Sequence, residues 1–464
     1  MFLETVHSEG LAHVSYIVGD GEEAAVIDPR RDCHIYIEIA QRHGVRIAHV
    51  FETHRNEDYV VGSCDLARRT GADIHHGEAL DFQYGHPVSE GDTFDLGDVR
   101  LRVLETPGHT YESISVVLAD TSFGNDPIGV FTGDALFIGD VGRTDFFPDK
   151  AEEVAGLLYD SLFEKLLPLG DGVILYPAHG AGSVCGDAMA DREFSTLGYE
   201  RRNNPALQVA DREAFIRRKT AEIHYQPPYF RQMETYNRNG PPAMEYLPAP
   251  TPLSAEAFAD ACDDGLQVID VRSPEAFAGA FVPGSLSLPL HMIPAYGGYF
   301  LGYERPIGLV AEDVSQVATA VRHLVRMGYD EVTCFLEGGL HAWETSGRTF
   351  GRIGRLTARE LQERIAQGDS FTLLDVRKET EFQESRLEKA TFLFLGHLPD
   401  KFDTLPKDRP VVTFCGSGRR AMVAASYLKM QGFERVENTL GSLAACKKVG
   451  CPLTGSDANG EEEA

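Results

Sequence analysis

The sequence predicts an α/β protein of three domains, and three observations carry that expectation. Over the first 240 residues, short β-rich runs alternate with polar, helix-forming stretches. A proline-dense segment follows, Gly240-Pro241-Pro242 and then Pro248, Pro250 and Pro252, which neither a helix nor a central strand tolerates. Beyond it, one pattern occurs twice. Val268-Ile269-Asp270-Val271-Arg272 recurs 105 positions later as Leu373-Leu374-Asp375-Val376-Arg377, and Pro306–Val310 recurs 104 positions later as Pro410–Phe414. So long a period means two copies of one strand–helix unit with a parallel sheet, not a solenoid. The expected boundaries are 1–240, a linker at 241–253, a first copy at 254–352, a second at 353–456, and a disordered acidic tail at 457–464.

Composition narrows the class. The chain has 464 residues, 43 Lys+Arg against 71 Asp+Glu and a formal charge of −28, which argues against nucleic acid or an anionic membrane as partner. With 43% hydrophobic and 25% charged residues it has the means to build ordinary cores. No apolar run is long enough for a membrane span, and the first residues carry no secretory pattern. Eight cysteines without Cys-x-x-Cys spacing are too sparse for a disulfide scaffold. The expectation is a soluble protein of a reducing cytoplasm.

In the first domain, strands are expected at His13–Val18, Ala24–Ile27, Ile47–Phe51, Val99–Glu105, Ser113–Leu118, Gly129–Phe131 and Gly172–Tyr176. Four of them run into ligand-type residues: Glu52-Thr53-His54, Thr106-Pro107-Gly108-His109, Thr132-Gly133-Asp134 and Pro177-Ala178-His179. Loops at strand ends are where a sheet gathers its functional groups, and four such endings are hard to read as capping alone. His75 and His76 have no partner pattern and read as surface residues.

These segments resemble the metallo-β-lactamase superfamily, in that family's order, which implies an αββα sandwich. The likeness departs at the first motif. The family usually has His-x-His-x-Asp-His, and here the positions read His54-Arg55-Asn56-Glu57-Asp58-Tyr59. Histidines missing at 56 and 59 should cripple a binuclear zinc hydrolase of the glyoxalase II type, the rival reading. The remaining His54, His109 and Asp134 form the two-imidazole, one-carboxylate set of mononuclear non-haem Fe(II) oxygenases. Within the superfamily this resembles the persulfide dioxygenases (the ETHE1-like branch), which carry Gly-Arg-Thr-Asp-Phe after the metal aspartate, as at Gly142–Phe146. The resemblance implies one Fe(II), with zinc as the alternative. It also implies that a low-molecular-weight thiol persulfide, such as glutathione persulfide, reacts with O₂ and water to give thiol and sulfite. Asp58 and His179 match second-metal positions, and without their partners they are expected to hydrogen-bond the metal ligands or bound water, as are Asn56 and Tyr59. Arg143 either binds substrate carboxylates or closes a salt bridge within its loop.

In the second copy, the strand Val411–Phe414 runs into Cys415-Gly416-Ser417-Gly418-Arg419-Arg420 and then a helical stretch. A cysteine placed there faces backbone N–H groups and a helix dipole, which favour thiolate. Gly416 and Gly418 let the backbone curl round the sulfur, and Arg419 or Arg420 offers an anion site. Both copies resemble rhodanese sulfurtransferases, which implies that Cys415 carries a persulfide sulfur between donors and acceptors such as thiosulfate and sulfite. The first copy keeps Asp270, Arg272 and Gly338-Gly339, but Ala311 stands in place of the nucleophile, before Glu312 and Asp313. It is expected to be a structural spacer or docking domain, with His341 structural. Cys446 and Cys451 read as small residues near a terminal helix in preference to resolving thiols. The chain reads as a persulfide dioxygenase joined to a sulfurtransferase, with a non-oxidising metal module as a further alternative. Members of this branch often form dimers or tetramers.

Overall fold

The computed structural model describes residues 1–183, 189–209 and 211–455; Cys185 and the acidic tail at 457–464 lie outside the described residues. Two compact units form, residues 1–247 with 325–328, and the remainder from 248 onward.

The first unit contains two six-stranded sheets. β1 (Phe2–Ser8), β2 (His13–Asp20), β3 (Glu23–Ile27), β4 (Arg46–Phe51), β5 (Asp73–Gly77) and β6 (His86–Val88) lie in sequence order in one. β7 (Thr93–Leu96), β8 (Val99–Glu105), β9 (Ile114–Asp120), β10 (Pro127–Gly133), β11 (Ile174–Pro177) and β12 (Ser195–Thr196) make the other, again in order. The seven expected strands are present. Five more strands were not expected: β5, and the short strands β6, β7 and β12 and the edge strand β1, whose mixed burial gave too weak an alternation to be read.

Period-two side-chain alternation divides each strand between two cores. Tyr16, Val18, Ile27 and Phe51 meet Leu101, Val103, Val116, Leu118 and Phe131 between the sheets. Their neighbours Ile17, Val26 and Val50 face outward onto Tyr36, Ile39 and Leu66 of the helices His34–His43 and Ser63–Thr70. On the second sheet, Leu104, Val117, Val130 and Leu175 pack on Leu158 and Phe215 of the helices Ala151–Asp160 and Arg212–Thr220. This is a helix–sheet–sheet–helix sandwich, as expected.

His75 and His76 correct the expectation of surface residues: both are buried in β5. A ring nitrogen of His75 lies 3.0 Å from one of His49 on the adjacent strand, and the His76 ring stacks on Phe82 at 4.2 Å. Aromatic neighbours bury these rings, a tertiary effect invisible in a polar-looking pentapeptide.

The second unit contains the two repeats, each a five-stranded parallel sheet of matching order. In the first the strands run Thr251–Leu253, Val332–Leu336, Ile307–Val310, Gln267–Asp270, Leu286–Ser287. In the second they run Gly354–Leu356, Val436–Thr439, Val411–Phe414, Thr372–Asp375, Thr391–Phe392. The repeated Asp-x-Arg motif does the same structural work in both. Arg272 closes on Asp270 at 2.6 Å and donates to the Ala280 carbonyl at 2.8 Å; Arg377 closes on Asp375 at 2.7 Å and donates to the Ser385 carbonyl at 2.6 Å. Among the described residues no helix is long and apolar enough to cross a membrane.

Candidate functional site

His54 follows β4, His109 follows β8, Asp134 follows β10 and His179 follows β11. β10 runs parallel to β11 and antiparallel to β9, which is itself antiparallel to β8, so β8, β10 and β11 deliver their C-terminal loops to one edge of their sheet. All four side chains are buried.

Among the described residues, His54, His109 and Asp134 are the group whose ligand atoms lie within 4.8 Å of one another. Asp134 Oδ2 stands 3.8 Å from His54 Nε2 and 3.6 Å from His109 Nε2. None of these three atoms has a hydrogen-bond partner. A buried polar atom left unpaired costs about 1–3 kcal/mol, so three of them converging on one point fit a metal ion better than an empty core.

The surrounding contacts aim the donors. His109 Nδ1 lies 3.0 Å from the Arg143 carbonyl, which can only accept, so the ring proton sits on Nδ1 and Nε2 keeps its lone pair. His54 Nδ1 is 3.0 Å from the Thr53 hydroxyl, and that hydroxyl donates to Asp28 at 2.7 Å. His179 Nδ1 holds Asp134 Oδ1 at 2.7 Å, leaving Oδ2 for a metal. Burial opposes ionisation of Asp134, but the facing His179, His54 and His109 rings outweigh it and hold the carboxyl below its usual range.

At the second-metal positions His179 Nε2, both Asp58 oxygens, Asn56 Oδ1 and the Tyr59 hydroxyl are buried without a hydrogen-bond partner, which corrects the expectation that Tyr59 hydrogen-bonds the metal ligands. The far nitrogen of His179 faces Asp58 at 3.1 Å. The Asn56 amide donates to the His54 carbonyl at 3.2 Å, and the Tyr59 ring packs on His13 at 4.0 Å. For Arg143, the salt bridge is what the fold forms: the buried guanidinium closes on Asp145 with two contacts of 2.7 Å and lies over the Phe146 ring. Glu57, Asp28 and Thr53 were missed by the sequence reading. Glu57 sits in a variable position of the first motif, yet it is fully buried with Oε2 3.5 Å from His109 Nε2.

One backbone position is decisive for His109. Gly108 has φ +143°, and a Cβ there would stand 2.4 Å from the Cα of Leu158 on the helix beneath. Gly108→Ala is therefore expected to cost about 2–4 kcal/mol, from strain plus overpacking, and urea unfolding measures it.

In the second repeat, Cys415 ends the strand Val411–Phe414 and is buried, with its sulfur accepting from the Gly418 N–H at 3.1 Å. Gly418, at φ +97°, is the N-cap of the helix Arg419–Met430, and a Cβ there would meet the Thr439 carbonyl at 3.0 Å. Of the two arginines offered for anions, Arg420 is closed on Glu381 at 2.6 and 2.7 Å, and Arg419 is exposed. The first repeat reaches this loop. Tyr296, on its helix Ile293–Phe300, lies near Arg420 and Cys415, while Tyr299 packs on Phe394 and Phe300 on Tyr427. The role of spacer expected for this copy thus gains a wall of the Cys415 site. In the first copy, a cavity of about 530 Å³ lies beside Ala311, lined by Arg272, Glu275, Glu312 and His341, with no thiol in it. Cys446 and Cys451 lie together in the hydrophobic core of the second copy, as small buried residues.

The model of the metallo-beta-lactamase superfamily matches residues 9–179, and that of the rhodanese-like domain matches residues 254–346 and 357–448. A persulfide dioxygenase ETHE1, mitochondrial, from Bos taurus is 32% identical over 217 residues, covering 43% of this chain and 73% of that protein. A hydroxyacylglutathione hydrolase GloC from Haemophilus influenzae is 27% identical over 215 residues, covering 42% of this chain and 91% of that protein. A crystal structure of a metallo-beta-lactamase from Staphylococcus aureus subsp. aureus COL superposes with a TM-score of 0.65 at 31% identity, covering 72% of this chain and 98% of that one.

Proposed function

Because the chain belongs to the metallo-beta-lactamase superfamily, with persulfide dioxygenase relatives over its first unit and two rhodanese-like domains after it, we propose that it is a persulfide dioxygenase coupled to a sulfurtransferase. Its net reaction is thiol persulfide, O₂ and water to thiol and sulfite, with Cys415 exchanging sulfane sulfur between persulfide, sulfite and thiosulfate. The observation that carries the reading is the donor set itself, two imidazole nitrogens and one carboxylate oxygen, buried and unpaired, beside a motif lacking histidine at 56 and 59.

A single Fe(II) at His54, His109 and Asp134 would supply open coordination positions and the redox chemistry that activates O₂. The chain's own residues do the rest. Thr53 and the Arg143 carbonyl fix which ring nitrogen of each histidine carries the proton, and His179 fixes which oxygen of Asp134 is free. Burial of all three donors keeps bulk water from competing for the metal.

A zinc thioester hydrolase is the second reading, favoured by the hydroxyacylglutathione hydrolase relative. Metal analysis of the full chain decides between them. One iron per chain with O₂ uptake on glutathione persulfide is expected; two zinc ions with thioester hydrolysis and no O₂ uptake would sink the dioxygenase. A third result, no O₂ uptake by the iron-loaded protein with thiosulfate:cyanide transfer intact, would leave a sulfurtransferase carrying a metal-binding module.

A further inference from the structure

We infer that Glu57 is a fourth protein donor to the metal, taking up part of the role lost with the missing histidine at position 56. The inference rests on the mononuclear reading above, and on geometry of its own. Glu57 is 1% exposed, and its Oε2 is a fourth buried atom without a hydrogen-bond partner, beside the unpaired Nε2 of His54, Nε2 of His109 and Oδ2 of Asp134. Oε2 stands 3.5 Å from His109 Nε2, the nitrogen that is also 3.6 Å from Asp134 Oδ2. Donors about 2.1 Å from one shared metal lie roughly 3–3.5 Å apart when adjacent, the spacing Glu57 Oε2 already has toward His109 Nε2; it stands outside the converging group of His54, His109 and Asp134, so a rotation of its side chain must carry it into their sphere.

The other carboxylate oxygen is held elsewhere. Arg55 lies 3.5 Å from Oε1 and also pairs with Glu234 at 3.2 Å. That anchorage leaves Oε2 to face the site alone, the arrangement of a one-oxygen ligand. Asn56 donates its amide N–H to the His54 carbonyl and keeps a buried, unpaired Oδ1, but that neutral oxygen brings no charge to the site, whereas the Glu57 carboxylate does.

Charge supports the same assignment. Two neutral imidazoles and one carboxylate leave a buried divalent ion with an uncompensated positive charge; a second carboxylate makes the set neutral, which a buried site favours. Four protein donors in a six-coordinate site leave two open positions instead of three.

Titration of the full-length metal-free protein with Co(II), followed by visible absorption and calorimetry, tests this. Glu57→Ala and the isosteric Glu57→Gln are expected to weaken Co(II) binding by at least roughly 10- to 100-fold and to change the Co(II) band pattern. The Gln variant keeps the side-chain volume, so its folded state serves as the comparison. Unchanged affinity and spectrum in the Gln variant would overturn the assignment and leave Glu57 a charge partner of His109 and Arg55. The two readings fail separately. Weaker metal binding in the variants supports Glu57 even where the wild type consumes no O₂. Full O₂ uptake with unchanged metal binding in the variants removes Glu57 and leaves the dioxygenase standing.

Discussion

Replacing Asp134 by asparagine is expected to strip the chain of its metal and abolish oxygen uptake on glutathione persulfide while leaving the fold in place. The substitution is isosteric, so packing changes little, and it removes the carboxylate on which the site converges. Oδ2 faces both His54 and His109, and Oδ1 holds His179 at 2.7 Å. Removing one partner of a buried, hydrogen-bonded charge set costs about 3–5 kcal/mol. At about 1.4 kcal/mol per factor of ten, that is roughly 10²- to 4 × 10³-fold in metal affinity. Metal content after dialysis and oxygen-electrode rates read the effect directly, and thiosulfate:cyanide transfer at Cys415 serves as the internal control. A variant that keeps stoichiometric metal and full oxygen uptake would remove Asp134 from the metal centre.

What could be read in the sequence was set by how local each signal is. The run ending in Leu118 was legible as a strand, but the two-sheet sandwich came only with the resemblance of the ligand loops, because Val116, Val117 and Leu118 form an unbroken apolar run that does not show which side chain faces which core. The His109 and Asp134 loops were equally legible, because Thr-Pro-Gly-His and Thr-Gly-Asp each combine a turn with a ligand. Glu57 was on the page as a residue but not as a donor, since its approach to His109 joins two loops whose residues lie 52 positions apart. Arg420 shows the opposite failure: it looks like an anion-binding cation in sequence, and it is closed on Glu381, which sequence alone could not assign to it, whereas for Arg143 the fold forms one of the two readings the sequence left open, the salt bridge to Asp145 within its own loop. A formal charge of −28 makes such pairings common, because acidic residues outnumber the basic ones that could stay free. The wall that Tyr296 makes against Arg420 was beyond reach for a related reason: a copy without its nucleophile gives no sign that it borders its sister's site.

Cys415→Ser is expected to reduce thiosulfate:cyanide transfer by on the order of 10⁴-fold or more, the scale on which loss of a covalent nucleophile acts. In the step concerned, the Cys415 sulfur attacks the outer sulfur of thiosulfate, a new S–S bond forms at Cys415, and sulfite leaves with the electron pair of the broken bond. A serine hydroxyl cannot carry sulfane sulfur, although it fits the same space beside the Gly418 N–H. Oxygen uptake on glutathione persulfide is expected to stay within about twofold of wild type, because the donor set of the first unit does not include this loop. Tyr296→Phe separates chemistry from positioning. It removes only the hydroxyl that the first copy presents to Arg420, so the melting temperature should hold while KM for thiosulfate rises several-fold and kcat changes less. An equal fall in kcat with KM unchanged would instead place the hydroxyl's effect in the transfer step. Kinetics indistinguishable from wild type would reduce the first copy to a spacer, whereas a split between KM and kcat makes it a working wall of the sulfur-transfer site.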